Sequence, residues 1–398
     1  MSVEASRLNA VRAEVRQWLA ANIPPDWREQ QAGDNIEGFL ASQREWLRRL
    51  VSAGYATPHW PGQWSAGGGR PLAEQVAIFE EIARADAPRM MLYFVSLYHA
   101  AMTLVEYGTE EQKARHLPAI LNGEIWCQGF SEPNAGSDLA SLRTRAERRG
   151  DHYVVSGQKI WSTLGQFADW CILLVRTDAS GPKQAGITFL LMDMKSKGVE
   201  VRPIRQITGD EEFAEIFLDE VEIPVANIVG EENQGWKVAQ TTLGSERGLA
   251  LVELTERMYG SLWRLVGLVT SNGEEADRLD DEVRRRIVDI TTRIEGLRAL
   301  IAKLMTNRIA GSEAVGDASI IKLGFARIQR DFTSLGLRLN GMAGQRFSQY
   351  TLGAGYETGN WMFDFMNSYQ YNIAGGSNEI QRNIISERVL MMPREKQG

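Results

Sequence analysis

A change of periodicity near residue 122, reversed near residue 235, constrains this 398-residue chain more than any other feature. Before it, apolar residues recur at helical spacing, as in Leu8, Val11, Val15 and Leu19. Pro24-Pro25 ends that first helix, and Thr109-Glu-Glu-Gln112 has the form of a capping box. The stretch His59 to Arg70 carries the Gly and Pro punctuation of a loop. Between 122 and 232 the chain offers short β-rich runs, HYVVSG, WCILLVRT, GITFLLMDM and AEIFLDEVEIP, split by turns such as Arg149-Gly150-Asp151. Strands so closely spaced suggest a small β-barrel or sandwich. Helical patterning then returns over roughly 236–270, 280–310, 317–339, 358–371 and 377–390, which reads as a bundle. Helices, then strands, then helices imply an α+β fold: a helical domain over 1–121, a β-domain over 122–232 and a helical bundle over 233–398.

Composition narrows the function classes. A formal charge of −7 argues against nucleic acid or a polybasic membrane contact. Cys127 and Cys171 are the only cysteines and form no CxxC pair, which fits a reducing compartment. The N-terminal stretch is amphipathic where a signal peptide needs an apolar run, and no apolar stretch approaches the roughly 20 residues that span a bilayer. A soluble, cytoplasmic protein without membrane contact is expected. The four histidines, His59, His99, His116 and His152, show no metal-ligand spacing.

The chemistry-bearing stretches are GFSEPNAGSDLAS (129–141), SGQKIWSTLGQFADW (156–170) and IAGGSNEIQR (373–382). In the first two, Ser131, Ser137 and loop N–H groups offer neutral hydrogen bonds. Trp161 offers an aromatic face with Ser162 and Thr163 beside it. That combination suits a flat heteroaromatic cofactor better than a metal, although physics alone favours a core position for Trp161. In the third stretch a glycine-rich turn feeds a helix N-terminus, which suits close approach of an anionic or polar cofactor. Ile373 to Ser377 contains no acid, base or thiol, so the reactive group must come from elsewhere.

GFSEPNAGSD, QKIWS, the GWKVA…ER helix and the terminal GGSNEIQRNIISERVL together resemble the acyl-CoA dehydrogenase family, in order and through nearly the whole chain. The resemblance implies an N-terminal helical domain, a middle β-barrel domain and a C-terminal four-helix bundle. It implies FAD, and dehydrogenation of an acyl-CoA thioester across Cα–Cβ to the trans-2-enoyl-CoA, with hydride passing to flavin N5. An electron-transfer flavoprotein is the implied electron acceptor. By position, Phe130 and Ser131 are similar to the segment at the flavin's pyrimidine side, Trp161 to the residue against the ring, and Thr163 to the hydroxyl that reaches N5. Ser137 is similar to a serine holding the acyl-CoA chain, Arg247 to an arginine near substrate, and Ser377 and Glu379 to positions near FAD.

One position departs from the pattern. Where many relatives carry the catalytic glutamate, this chain has Gly375. A minority of relatives place the base on the first bundle helix, where Glu246 stands here. On a helix its neighbours Thr242, Leu243, Leu249 and Ala250 include no cation, whereas Glu253 has Arg257 four residues on and reads as a solvated pair. A carboxylate on an apolar stripe has its pKa raised by desolvation, as a general base near neutral pH requires. The plainer alternative is a solvent-facing Glu246. Three readings therefore stand: a dehydrogenase with Glu246 as base, an oxidase or monooxygenase on the same fold, and a non-catalytic subunit.

The resemblance also bears on assembly. Relatives are usually tetramers in which a neighbour supplies an arginine and a glutamine to the FAD tail. Here the first region is SNGEEADRLDD, with Glu274, Glu275 and Asp277, and Arg338 stands where the glutamine is expected. Either a homotetramer uses Arg338 as the phosphate binder, or the chain is the base-bearing half of an α2β2 heterotetramer with a paralogous subunit.

Overall fold

The computed structural model describes residues 3–30, 35–245, 249–271, 279–346 and 360–393. The N-terminal helices are α1 (Val3–Asn22), α2 (Trp27–Gln30), α3 (Ile36–Ala53), α4 (Leu72–Arg84), a π-helical turn (Val95–Ala100) running into α5 (Ala101–Tyr107), and α6 (Glu110–Leu121). Thr109 and Gln112 form the expected capping box at the start of α6, each side chain bonded to the other's backbone N–H. Gly54 closes α3 at φ 73°, where its left-handed conformation lets two backbone carbonyls of the last turn be satisfied.

The middle region is one seven-stranded curled sheet: β1 (Trp126–Gly129), β2 (Arg145–Arg149), β3 (His152–Thr163), β4 (Trp170–Arg176), β5 (Ile187–Asp193), β6 (Val199–Ile204) and β7 (Phe213–Pro224). The long antiparallel pair β3–β7 is its spine, with β6 added to β7 and β2 to β3. β4 pairs with β5 on one side and runs parallel to β1 on the other. Three strands, β1, β2 and β6, were not among the apolar runs of the sequence. β1 is four residues long, β2 reads RAERR with four of its five side chains exposed, and β6 (VEVRPI) has no buried residue. Strands that bury so little leave no strong alternation to read.

β4 shows why the sheet sits where it does. Its continuous apolar run WCILLVR is buried on both faces. Trp170, Ile172 and Leu174 enter the core shared with the N-terminal helices. Cys171, Leu173 and Val175 face the sheet's own interior with Val155, Met192 and Ile216. Alternate side chains point to opposite faces, so one strand serves two cores.

The C-terminal helices are α7 (Gly235–Ser245), α8 (Leu249–Ser271), α9 (Asp281–Ile309), α10 (Asp317–Gly344), α11 (Trp361–Ser368) and α12 (Asn378–Arg388). α8, α9 and α10 share a core built from residues such as Met258, Leu262, Ile294, Leu297, Phe325 and Phe332. α10 runs five residues beyond its expected end at 339, through a kink at Gly341 (φ 54°) that only glycine takes without strain. α11 stops at Ser368 and gives way to a 3-10 turn over Tyr369–Asn372. The bundle is tied to the first region by charge as well as by packing. Buried Glu256 of α8 accepts from Arg84 of α4 at 2.9 Å and from Arg298 of α9 at 2.6 Å.

Candidate functional site

Four of the sequence-selected residues come together on the β-domain. Loop residues Phe130 and Ser131 follow β1, and Trp161 and Thr163 end β3. The loop and the strand are strapped in three ways. Ile160 N–H donates to Ser131 O at 2.9 Å. Lys159 Nζ donates to Phe130 O at 3.2 Å and to Glu132 Oε1 at 2.8 Å. Glu132 in turn accepts from the backbone N–H groups of Arg143 and Thr144, at 2.7 and 2.8 Å, which anchors the far end of the same loop.

The Lys159–Glu132 pair lies in the interior, with Lys159 fully buried. Burial opposes charge on both groups. It leaves the ammonium below its ordinary pKa although Glu132 pulls the other way. For Glu132 the lysine and its hydrogen-bond donors outweigh burial, and the carboxyl stays below the usual range. The two stand at ion-pair distance, 2.8 Å. The sequence reading passed over both residues, although each stands inside a quoted motif, as the glutamate of GFSEPN and the lysine of QKIW.

Trp161 is not a core residue. It is 54% exposed, with its edge against Phe213 at 6.0 Å between ring centroids. The cause is local: β3 and β7 lose register between Lys159 and Ser162, and Trp161 sits in that irregularity at φ 64°. A bulge re-aims the side chain it carries, and a left-handed non-glycine residue costs of order 1–3 kcal/mol. Ser162 beside it is fully buried, and its Oγ has no hydrogen-bond partner among the described residues. Thr163 returns to the ladder opposite Phe213 and is half-buried. An exposed aromatic face, the half-buried Thr163 hydroxyl and a strapped loop fit a flat heteroaromatic group. Among the described residues no cluster of His, Cys, Asp or Glu is arranged to hold a metal ion.

The remaining positions lie elsewhere. Ser137 is exposed on the strapped loop, next to Asp138, which pairs with Lys183 at 3.0 Å. Ser377 caps α12 by accepting from Ile380 N–H at 3.3 Å, after Gly375 and Gly376 turn the chain at φ 66° and 84°. Buried Gln381 donates to both glycine carbonyls, at 3.0 and 3.1 Å, and so fixes that turn. Glu379 is exposed and paired with Arg382 at 3.0 Å. α12 packs on α10, where Lys322 Nζ meets Asn378 Oδ1 at 3.1 Å.

Arg338 is engaged within the chain, with Glu282 at 2.6 Å and Asp280 at 3.6 Å. Glu246 and Arg247 lie outside the described residues, as do Glu274, Glu275 and Asp277. On either side of 246, Thr242 and Ala250 are buried and Leu243 and Leu249 half-buried. Thr242 shares a 2.7 Å hydrogen bond with Thr103 of α5, which ties the end of α7 to the N-terminal helices.

The expectation of a solvated Glu253–Arg257 pair is overturned. The two are paired at 2.9 Å, but Arg257 is only 3% exposed and Glu253 17%. α8 packs against α4, and Asp86, just past the end of α4, stands 3.8 Å from the Arg257 guanidinium. Spacing of four on a helix predicts the pair and says nothing about what covers it.

Among the described residues no helix is long and apolar enough to cross a membrane. Family models for the acyl-CoA dehydrogenase N-terminal, middle and C-terminal domains match residues 6–124, 127–221 and 233–390. The acyl-CoA dehydrogenase IpdE1 of Mycolicibacterium smegmatis is 39% identical over 402 residues, covering 97% of this chain and 98% of that protein. The solved structure described as Tcur3481-Tcur3483 steroid ACAD superposes with a TM-score of 0.84 at 31% identity, covering 98% of each chain. The ChsE4-ChsE5 complex from Mycobacterium tuberculosis gives 0.81 at 29% identity, again over 98% of each. With three domain models in the order that the helices, curled sheet and bundle follow, the chain belongs to the flavin-dependent acyl-CoA dehydrogenase family.

Proposed function

We propose that this chain catalyses FAD-dependent α,β-dehydrogenation of an acyl-CoA thioester to the trans-2-enoyl-CoA, with Glu246 as the base that takes the α-proton. The observation that carries the reading is Trp161: an aromatic face exposed by a strained bulge, beside a loop pinned by a buried ion pair. Bound FAD would supply the hydride acceptor. Phe130, Ser131, Trp161 and Thr163 would hold and orient its ring system. Ser137 and Arg247 would hold the thioester substrate, and Ser377 and Glu379 would lie near the cofactor from α12.

The base assignment is supported by what flanks it. Residues four before and four after Glu246 are buried, so a helix continuing through this point would turn that face inward. Gly375 offers no carboxylate at the alternative position. An electron-transfer flavoprotein is the proposed acceptor, and the cell interior the proposed location.

We also propose that the chain works as one half of an α2β2 heterotetramer. Arg338, the residue that would replace the expected glutamine, already pairs with Glu282 and Asp280 of its own chain. One of the similar solved structures is described as a complex of two differently named chains.

The test is spectroscopic. The purified protein, alone or with its partner subunit, should be yellow and should bleach anaerobically on adding a suitable acyl-CoA. Glu246→Gln should keep the colour and lose on the order of 10² to 10⁴ in rate. A colourless protein that takes up no FAD in any assembly ends the enzyme reading. Full activity in Glu246→Gln moves the base elsewhere.

A further inference from the structure

The loop from Phe130 to Thr144 is closed at its neck by Lys159 and Glu132, which join Phe130 O to the N–H groups of Arg143 and Thr144. Its tip, where Ser137 stands exposed, is out of reach of that pair and is held by a second device.

Leu139–Ser141 form a single 3-10 turn that ends at Leu142. A turn that short leaves its last carbonyls without onward helical partners. The guanidinium of Arg176, the last residue of β4, supplies them. Nη2 donates to Ala140 O at 2.6 Å and to Leu142 O at 3.3 Å, and Nε reaches Leu142 O at 3.4 Å. Nη1 donates to Lys183 O, in the segment between β4 and β5. The Lys183 side chain runs back to the tip, Nζ to Asp138 Oδ2 at 3.0 Å, and the Ser141 hydroxyl donates to the same carboxylate. The bonds close a circuit through Arg176, Ala140, Asp138 and Lys183, and Ser137 is the residue beside Asp138.

Within the circuit the guanidinium matters most. Lys183 and Asp138 are both more than half exposed, and an ion pair so open to water contributes little by itself. Arg176 reaches three carbonyls on two segments with one planar fork, a geometry that a lysine ammonium does not reproduce. The end of β4 is registered separately, because Arg176 N–H donates to Thr144 O at 2.7 Å. Changing the side chain therefore frees the tip and leaves that backbone bond in place.

We propose that Arg176 is a positioning residue for the acyl-CoA, holding the turn that presents Ser137 and acting through that turn rather than by contact with the substrate. The proposal rests on the reading of the chain as an acyl-CoA dehydrogenase with Ser137 at the substrate. One loop then has two straps with separate duties: Lys159 and Glu132 serve its flavin end, and Arg176 serves its substrate end.

The test uses the FAD-loaded protein in its native assembly. Flavin bleaching by CoA thioesters of straight-chain, branched and ring-bearing acids selects the best substrate. Arg176→Gln and Arg176→Lys are then compared with the unsubstituted protein for kcat, KM, FAD content and thermal midpoint, and binding of the 2-enoyl product is followed by calorimetry. In both variants KM and the product Kd should rise about tenfold, while kcat and FAD content stay within about twofold. The lysine variant should fare little better than the glutamine one, since it keeps the charge and loses the fork. Ser137→Ala should raise KM as well, and adding Arg176→Lys to it should raise KM hardly further, because the arginine acts through the turn that carries this serine. Unchanged KM and Kd in the Arg176 variants overturn the proposal. So do additive losses in the double variant, or a parallel fall of kcat, FAD content and binding. Failure of both Arg176 variants to fold assigns the residue to stability alone and overturns it too. If no acyl-CoA binds to the unsubstituted protein or bleaches its flavin, the dehydrogenase reading itself fails, an outcome distinct from an unchanged KM in the variants.

Discussion

Glu212 illustrates how far a residue's role can depart from its local composition. In the sequence it belongs to GDEEF, a run of three consecutive acidic residues. In the fold it is buried, and burial, reinforced by neighbouring Asp210, pushes its carboxyl up to about 8 although Arg89 pulls it down. Asp210 is shifted upward by burial as well. An unfolded glutamate titrates near 4.5. Between that value and about 8 the folded chain keeps a proton that the unfolded chain has released. The contribution of Glu212 to stability is therefore complete below about pH 4.5 and is lost as pH rises through about 8. We expect the urea midpoint to fall between pH 6 and pH 9 by an amount worth on the order of a few kcal/mol, and Glu212→Gln to flatten that fall. Parallel pH profiles for the two proteins would show that another group carries the dependence.

At the scale of elements, the junction of the loop after β1 with the end of β3 is where we propose that the flavin rests. Its geometry depends on the Lys159–Glu132 pair, which holds the loop at both ends. Removing one member of a buried pair leaves an uncompensated charge and typically costs 3–5 kcal/mol, whereas removing both costs less. Lys159→Met should therefore lower the thermal midpoint by several degrees and weaken FAD retention. The double variant Lys159→Met/Glu132→Gln should recover part of the stability. If it recovered none, the pair would not be the unit that matters. The motifs around this junction were legible because glycines, serines and a tryptophan stand out in short stretches. The bulge that exposes Trp161 was not, since it arises from a register mismatch between β3 and β7, which lie some fifty residues apart.

At the scale of the whole molecule, the proposed heterotetramer turns on how much of a flavin site one chain supplies. Arg338 is already paired with Glu282 and Asp280, so a phosphate there competes with two carboxylates of its own chain. Expressed alone, the chain should hold markedly less than one FAD per subunit. Co-expression with the paralogous subunit should bring the flavin content up. Absorbance against protein concentration measures this directly. Near-stoichiometric FAD in a stable homotetramer of this chain would rule out the heteromer.

The order of helices, strands and helices, the capping box at Thr109, the apolar run of β4 and the family motifs are all set by residues close in sequence, where propensity and periodicity act. For that reason the sequence alone determined the fold class, the family and the stretches from which a flavin site would be built. Tertiary packing decided the rest. It buried Arg257 against Asp86 and α4, paired Lys159 with Glu132 across 27 residues, turned Trp161 outward, and engaged Arg338 with Glu282 across 56 residues. Burial, register and long-range charge pairing depend on which distant segment arrives alongside, and no local pattern encodes that.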